Sequence, residues 1–153
     1  MVVTVTASAA DLGAVRELFL EYAKSLGFSS CFQGFDKELA TLPGEYAAPR
    51  GRLLLAKDGI EIVGCVGVRP LDNAHCEMKR LYVCPAFRGK GLGRKLAENA
   101  IGIARGAGYR RMYLDTLPSM KQARALYTSL EFIACAPYYD NTCAGSDCFE
   151  LKL

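Results

Sequence analysis

Three glycines alternate in a bend that joins a predicted strand, ending near Val83, to a predicted helix. The bend, residues 88–93, has the sequence RGKGLG. Glycines next to a helix are unfavourable unless the backbone must adopt positive φ or lie close to a ligand. The N–H groups at a helix N-terminus bind anions, and Arg88, Lys90 and Arg94 add positive charge. The bend therefore predicts a binding site for a polyphosphate.

Two common phosphate-binding loops differ from this bend. A Walker A loop has the pattern GxxxxGK[ST], which no window of the sequence contains. A dinucleotide-binding loop has GxGxxG, and the spacing from Gly89 to Gly93 is one residue short of it. Asp115 lies near the place of a ribose-binding acid, so a nucleotide-dependent oxidoreductase stays an alternative. The 38 residues after Asp115 are too few for a doubly wound sheet with a substrate site.

The composition is typical of one globular domain, which we expect to cover residues 1–153. Hydrophobic residues make up 51% of the chain and charged residues 23%, which argues against disorder. The net charge of +3 is too small and too dispersed for a nucleic-acid-binding surface. The apolar runs are short and the N-terminus lacks a leader pattern, so we expect no membrane segment and a cytoplasmic protein.

The seven cysteines and one histidine do not have the spacing of a zinc site, and we expect no bound metal. We expect the cysteines to be packed thiols in a reducing compartment. A redox role for Cys143 and Cys148, near the C-terminal turn, is the alternative. We interpret His75 as a polar turn residue rather than a general base.

Hydrophobic periodicity and turn residues predict seven strands and four helices. The predicted strands cover residues 2–6, 52–57, 61–68, 77–83, 109–115, 132–138 and 148–153. The predicted helices cover residues 12–26, 35–42, 92–107 and a segment that is capped by Ser119 and runs to Leu130. The order β-α-α-β-β-β-α-β-α-β-β predicts an α/β (α+β) fold. Its mixed, mostly antiparallel sheet has one parallel crossover, between residues 76 and 115, and helices on both faces.

The glycine bend and its surroundings resemble the GNAT superfamily of acyl-CoA-dependent N-acetyltransferases. The pattern Arg88-x-x-Gly91-x-Gly93 is similar to the family signature Q/R-x-x-G-x-G/A. Three further segments are similar to parts of the family: Leu81-Tyr82-Val83-x-Pro85 to its fourth strand, Ala123-x-x-Leu126-Tyr127 to its "AxxLYxxxGF" segment, and residues 149–153 to its last strand. The resemblance implies transfer of an acetyl group from acetyl-CoA to an amine, through a ternary complex.

Two positions depart from the family pattern. Met120 stands where the family usually has an asparagine that contacts the cofactor. Glu131 stands where the family has glycine, and a residue that needs positive φ there would be strained. The first departure supports an alternative function, a non-catalytic module that binds or senses CoA.

The resemblance implies a role for each candidate site residue. Glu77 would be the base that deprotonates the amine, and Tyr127 the acid that protonates the leaving thiolate. The N–H of Leu81 would bind the oxyanion. The implied cofactor-binding residues are Leu81, Val83, Arg88, Gly89, Lys90, Gly91, Leu92, Gly93, Arg94, Ala123 and Tyr127. Each role has a structural alternative. Glu77 could be an exposed strand residue that pairs with Lys79 or Arg80, and Tyr127 could be an aromatic residue of the core.

The acceptor is poorly defined by the sequence. The cluster Tyr138, Tyr139, Asp140 and Asn141 combines aromatic rings with an acid and suits a cationic amine. We expect a small-molecule acceptor rather than a protein, because no large charged docking face is evident. The resemblance also allows a homodimer.

Overall fold

The computed structural model describes residues 2–27, 34–139 and 145–153, with a seven-stranded mixed sheet in the described part of the chain. The strand order in the sheet is β1-β2-β3-β4-β5-β7-β6. The strands are β1 (Val2–Thr6), β2 (Arg52–Asp58), β3 (Glu61–Pro70), β4 (His75–Val83), β5 (Arg111–Thr116), β6 (Ile133–Cys135) and β7 (Asp147–Lys152). The helices are α1 (Leu12–Ser25), α2 (Phe35–Ala40), α3 (Leu92–Gly106) and α4 (Lys121–Ser129). The predicted fold class and element order are confirmed.

The pairing of β4 with β5 is the one parallel pairing of the described sheet, and it is short. It extends from His75↔Arg111 to Glu77↔Tyr113. The remaining neighbours, from β1 to β4 and from β5 through β7 to β6, are antiparallel. The predicted crossover between residues 76 and 115 is therefore confirmed.

Each face of the sheet packs against a different pair of helices. Leu96 of α3 and Tyr127 of α4 belong to a core with Leu54 and Leu114. Phe19 of α1 belongs to a second core on the other face, which includes Phe35, Leu53, Leu55 and Cys65. Successive residues of a strand point to opposite faces, so Leu53 to Leu55 contribute to both cores.

A β-bulge interrupts β4 just beyond its pairing with β5. Tyr82 lies opposite Cys65 and Lys79 opposite Gly67, so one residue of β3 faces two residues of β4. Arg80, within the bulge, has a φ of 61°, which is in the left-handed region. Bulges bend and twist a strand, and here the bulge begins after Lys79, beyond the last pair with β5 at Glu77.

Several predicted boundaries differ from the structure. Met120, not Ser119, precedes α4, so the predicted Ser119 cap is wrong. Strand β6 ends at Cys135 instead of residue 138, because the following residues leave the sheet edge and Tyr138 and Tyr139 bond to carboxylates on other strands.

The described cysteines are free thiols: Cys65, Cys76, Cys84, Cys135 and Cys148. Burial raises the pKa of Cys76 to about 12 and also raises that of Cys148, which disfavours the reactive thiolate. Cys143, the other member of the predicted redox pair, lies outside the described residues. Within the described ranges, no group of side chains with metal-ligating chemistry is found, and none of the helices is both long and apolar enough to cross a bilayer.

Glu131 follows α4 with a φ of 74°, so the expected positive φ at this position is present. Replacing Glu131 by glycine removes the unfavourable contact of Cβ with the backbone. We expect the substitution to stabilise the protein by about 1 kcal/mol, an increase of about 2 to 4 °C in melting temperature. Glu131→Ala is the matched control, since it removes the charge but keeps Cβ. An equal gain from alanine would contradict the backbone explanation.

Candidate active site

Beyond Glu77 and Tyr113, β4 and β5 continue without pairing and leave a gap in the sheet. A cavity, called the chamber here, lies at this gap. Its walls come from α1, β4, β5 and the segment that leads into α4. The lining residues are Tyr22, Leu26, Met78, Lys79, Arg80, Leu81, Asp115, Thr116, Leu117, Met120, Tyr127 and Ser146. The gap therefore brings polar groups of two strands to one space inside the sheet.

A groove of about 540 Å³ extends from the neighbourhood of the chamber to the glycine bend. Four residues line both spaces: Tyr22, Leu26, Leu81 and Met120. The groove is otherwise bordered by the end of β4, the glycine bend and the first turns of α4, including Val83 and Ala123. On the β5 side, the described backbone of β4 from Met78 to Val83 has no strand partner. This edge can receive an extended ligand in the manner of an added strand.

The glycine bend has the backbone conformation that its sequence predicts. Gly89 and Gly91 have φ values of 78° and 80°, where a side chain would be strained. A Cβ on Gly93 would lie 3.8 Å from Leu126, so packing alone does not require glycine there. Helix α3 begins at Leu92, as predicted. The N–H groups of its first turn have no partner within the helix and are suited to an anion.

The basic side chains of the bend contact the protein itself. The Arg88 Nε donates a hydrogen bond of 2.8 Å to the carbonyl of Val83. The Arg94 Nη2 lies 2.5 Å from the Ser129 hydroxyl oxygen. The Lys90 ammonium lies over the ring of Phe87. These contacts hold the shape of the bend, so direct contact of the three side chains with a phosphate stays a prediction.

Glu77 is buried, with 1% of its surface exposed. The Arg69 Nε donates to its carboxylate at 2.8 Å, and the Tyr138 hydroxyl donates to the other oxygen. The alternative of an exposed strand residue is therefore wrong. Lys79 lies 3.9 Å away, and Arg80 pairs with Glu38 instead. The sequence did not identify Arg69, because its contact depends on the register of β3 against β4.

The carboxylate of Asp115 lines the chamber. The Lys79 ammonium lies 3.4 Å from its Oδ1, and the Tyr139 hydroxyl donates to Oδ2 at 2.5 Å. The side chain of Lys79 therefore lies between Asp115 and Glu77. Burial and the adjacent carboxylates raise the pKa values of Tyr138 and Tyr139, so both hydroxyls stay protonated donors.

The predicted acceptor cluster is only partly described. Tyr138 and Tyr139 cover the two carboxylates, and the ring of Tyr138 lies against that of Tyr113, with centroids 5.0 Å apart. Asp140 and Asn141 lie outside the described residues.

Tyr127 lies on α4, where its side chain lines the chamber and its ring contacts Phe132 edge-on. The side chain is 5% exposed and belongs to the core next to α3. Its position is therefore compatible with both predictions, an acid near the cofactor and a core aromatic residue. Burial raises its pKa, which keeps the phenol protonated and able to donate. Ala123, one turn earlier, lines the groove.

Two hydroxyls of the chamber have no hydrogen-bond partner in the described part of the chain. They belong to Thr116, which is 2% exposed, and to Ser146. A buried hydroxyl without a partner destabilises a folded protein. No motif in the sequence points to either residue, since single hydroxyl side chains near strand ends are common.

Residues 14–132 match the model of the acetyltransferase (GNAT) family. The chain belongs to this family. An uncharacterised N-acetyltransferase of Schizosaccharomyces pombe is 41% identical over 133 residues, which are 86% of this chain and 82% of the relative. The uncharacterised N-acetyltransferase YjgM of Escherichia coli is 36% identical over 121 residues, 77% of this chain and 71% of the relative. The resemblance found in the glycine bend is thus confirmed.

Solved structures of GNAT acetyltransferases have the same fold. A Staphylococcus aureus enzyme aligns with a TM-score of 0.85 at 18% identity, covering 99% of each chain. The yncA protein of Salmonella typhimurium, solved with its cofactor acetyl-CoA, aligns with a TM-score of 0.75 at 20% identity, covering 99% of this chain and 94% of its own. At these identities the comparison establishes the fold alone.

Arg80 of this acetyltransferase forms a buried ion pair with Glu38. Nε and Nη2 of Arg80 each bond to one Glu38 oxygen at 3.0 Å, and the arginine side chain is 7% exposed. We expect Glu38→Gln to lower the free energy of unfolding by about 3 kcal/mol, because the buried guanidinium then faces a neutral amide in place of a carboxylate.

Chemical denaturation of Glu38→Gln and Glu45→Gln tests this expectation. Glu45 contacts Arg69 at 3.3 Å but is 69% exposed, so its neutralisation should lower stability by less than about 1 kcal/mol. Similar losses in the two variants would contradict the special role of the buried pair.

Proposed function

We propose that this chain, acting as one domain over residues 1–153, transfers the acetyl group of acetyl-CoA to a primary amine through a ternary complex. The main support is a single observation: the unpaired edge of β4 leads from a chamber with ionisable groups to a helix N-terminus with a glycine bend. This arrangement suits a cofactor with a reactive thioester at one end and a pyrophosphate at the other. The Salmonella relative with acetyl-CoA is consistent with that choice.

Backbone groups supply most of the proposed cofactor contacts. Leu81 and Val83 would bind the amide-containing arm of CoA along the unpaired edge of β4, and the N–H groups from Gly89 to Arg94 would bind the pyrophosphate. Ala123 would lie beside the arm, since it lines the groove. No metal is needed for these contacts.

The acceptor must lose a proton before it attacks, because an alkyl ammonium has a pKa of about 10. Glu77 is the proposed base. Since the Tyr138 hydroxyl donates to Glu77, a proton accepted by the Tyr138 oxygen can be passed to the carboxylate as the phenol proton moves.

Asp115 is a second candidate for the base. Its carboxylate lines the chamber directly, whereas Glu77 lies behind Lys79 and Tyr138. The two carboxylates therefore need separate tests.

Tyr127 is the proposed acid. Its protonated phenol lines the chamber next to the groove and can donate to the thiolate of CoA as the C–S bond breaks. The N–H of Leu81 is the proposed donor to the tetrahedral oxyanion. In the balanced reaction, the ammonium nitrogen gains the acetyl group and loses two protons. One proton leaves through the base, and loss of the other is matched by the proton that the CoA sulfur gains.

The acceptor in this proposal is a small molecule, since the chamber lined by the described residues has a volume of about 40 Å³. A reducing, cytoplasmic location fits the free thiols described. A homodimer rests on the resemblance alone.

Acetyl-CoA should stabilise the protein, because a ligand that binds only the folded state raises the free energy of unfolding. At a concentration about 100 times its Kd the gain is about 2.7 kcal/mol, an increase of several degrees in melting temperature. NAD and ATP serve as control ligands in the same thermal-shift measurement. Absence of a shift with acetyl-CoA would contradict the proposal, and a shift with NAD alone would favour an oxidoreductase. Binding of acetyl-CoA without CoA release in a broad amine panel would favour the non-catalytic module.

Glu77→Gln and Tyr127→Phe should each lower kcat about 100-fold or more, the usual effect of losing a general base or acid. The Kd of acetyl-CoA should change little, because neither change alters the groove. Steady-state rates and the thermal shift measure the two effects. Asp115→Asn distinguishes the carboxylates, since the true base is the one whose removal abolishes the acidic limb of the pH–rate profile.

Matched controls are available for both types of substitution. Tyr109→Phe removes a hydroxyl that bonds to the carbonyl of Arg50, and Glu150→Gln neutralises a carboxylate that pairs with Arg111. Both controls should keep kcat. Full activity of Glu77→Gln or Tyr127→Phe would refute the assigned role of that residue and leave family membership intact.

A further inference from the structure

The hydroxyls of Thr116 and Ser146 lack hydrogen-bond partners within the described residues and line the same chamber as Asp115. We propose that these three oxygen-bearing side chains bind the amino group of the acceptor, and that they select primary amines. The inference rests on the proposed function and specifies which residues recognise the acceptor.

Thr116 provides the strongest evidence. It is the last residue of β5, it is 2% exposed, and its Oγ1 has no partner in the described chain. A valine would fill the same volume without a buried, unsatisfied hydroxyl. The hydroxyl is therefore a net disadvantage to the free protein, unless a bound molecule supplies its partner.

Ser146 and Asp115 are neighbours of Thr116 through the pairing of β5 with β7. The register sets Thr116 opposite Asp147, so Ser146 is one residue beyond that pair and Asp115 one residue before it. Asp115 and Thr116 are consecutive residues of β5, so their side chains point to opposite faces of the sheet. All three residues nevertheless line the chamber, because it lies in the gap between β4 and β5. The Asp115 carboxylate already accepts from Lys79 and Tyr139, and a carboxylate has about four acceptor positions.

The position of the two hydroxyls indicates that they bind the acceptor rather than acetyl-CoA. Neither Thr116 nor Ser146 lines the groove that leads to the glycine bend, whereas Leu81 and Met120 line both spaces. The hydroxyls thus lie in the chamber, where the acceptor would meet the thioester, and not along the groove proposed for the rest of the cofactor.

The chemistry of the three groups matches an ammonium ion. An R–NH₃⁺ group has three N–H donors, and the carboxylate and two hydroxyls offer three acceptors, one of them charged. An N-methylated amine has one donor fewer and would leave one buried acceptor unpaired. Discrimination of this kind is strong in buried polar sites.

Thr116→Val gives the decisive test, with n-propylamine as the acceptor probe. The variant should melt about 2 to 4 °C higher than the wild type without ligands, because an unsatisfied hydroxyl is removed. Its KM for n-propylamine should increase about tenfold, the usual effect of one lost hydrogen bond to a charged group. Its acetyl-CoA thermal shift should not change. A structural role for the hydroxyl would give the opposite stability change.

Three further measurements keep the test independent of one variant. Thr116→Ser should restore the wild-type KM, and Ser146→Ala should increase it. The wild type should prefer n-propylamine to N-methylpropylamine at least tenfold, and Thr116→Val should reduce that preference. Thr128→Val is the matched control, since Thr128 is exposed on α4 and should show neither effect.

The outcomes separate this inference from the proposed function. If Thr116→Val and Ser146→Ala both keep the kcat and the KM of the wild type, the inference is overturned and the proposal of acetyl transfer is unaffected. The inference is also overturned if the wild-type protein shows a normal thermal shift with acetyl-CoA but does not acetylate n-propylamine. Absence of the acetyl-CoA shift itself would refute the proposed function.

Discussion

The separation of β4 from β5 is the constraint on which the rest of the site depends. Parallel pairing stops at Glu77 and Tyr113, and a bulge at Arg80 bends β4 a short distance further along the strand. A continuous sheet would bury both strand edges in backbone hydrogen bonds and leave no space between them. Because the strands diverge, one edge of β4 is available to a ligand and the chamber opens between the two helical layers.

The bulge is held in place by charge as well as by backbone geometry. Arg80 adopts a positive φ that disfavours residues other than glycine, and its guanidinium bonds to both oxygens of Glu38 from α2. The ring of Phe35, at the start of the same helix, lies 5.2 Å from the guanidinium carbon. A short helix distant in sequence thereby fixes the local conformation that opens the sheet.

The features visible in the sequence are those determined by local patterns. The glycine bend, the crossover and the core on both faces of the sheet were predictable from residue spacing. Positive φ favours glycine, as at Gly89 and Gly91, and a helix that packs on a sheet requires an apolar stripe, as in α3. The candidate site was only partly predictable. Glu77 and Tyr127 were identified through family resemblance, whereas Arg69, Glu38, Thr116 and Ser146 matter through contacts between distant strands and helices. Such contacts depend on register and on the bulge, neither of which is encoded in a short motif.

The ionic side chains around the gap also balance one another. Three acids, Glu38, Glu77 and Asp115, lie among three bases, Arg69, Lys79 and Arg80, and each of these side chains is at most 25% exposed. Exchange of one of them for a neutral residue would give this group a net charge. Two unit charges 4 Å apart interact by about 4 kcal/mol at an effective dielectric constant of 20. A sheet of unchanged geometry can therefore be adapted to acceptors of different charge by single substitutions, so related chains with the same backbone can diverge in substrate.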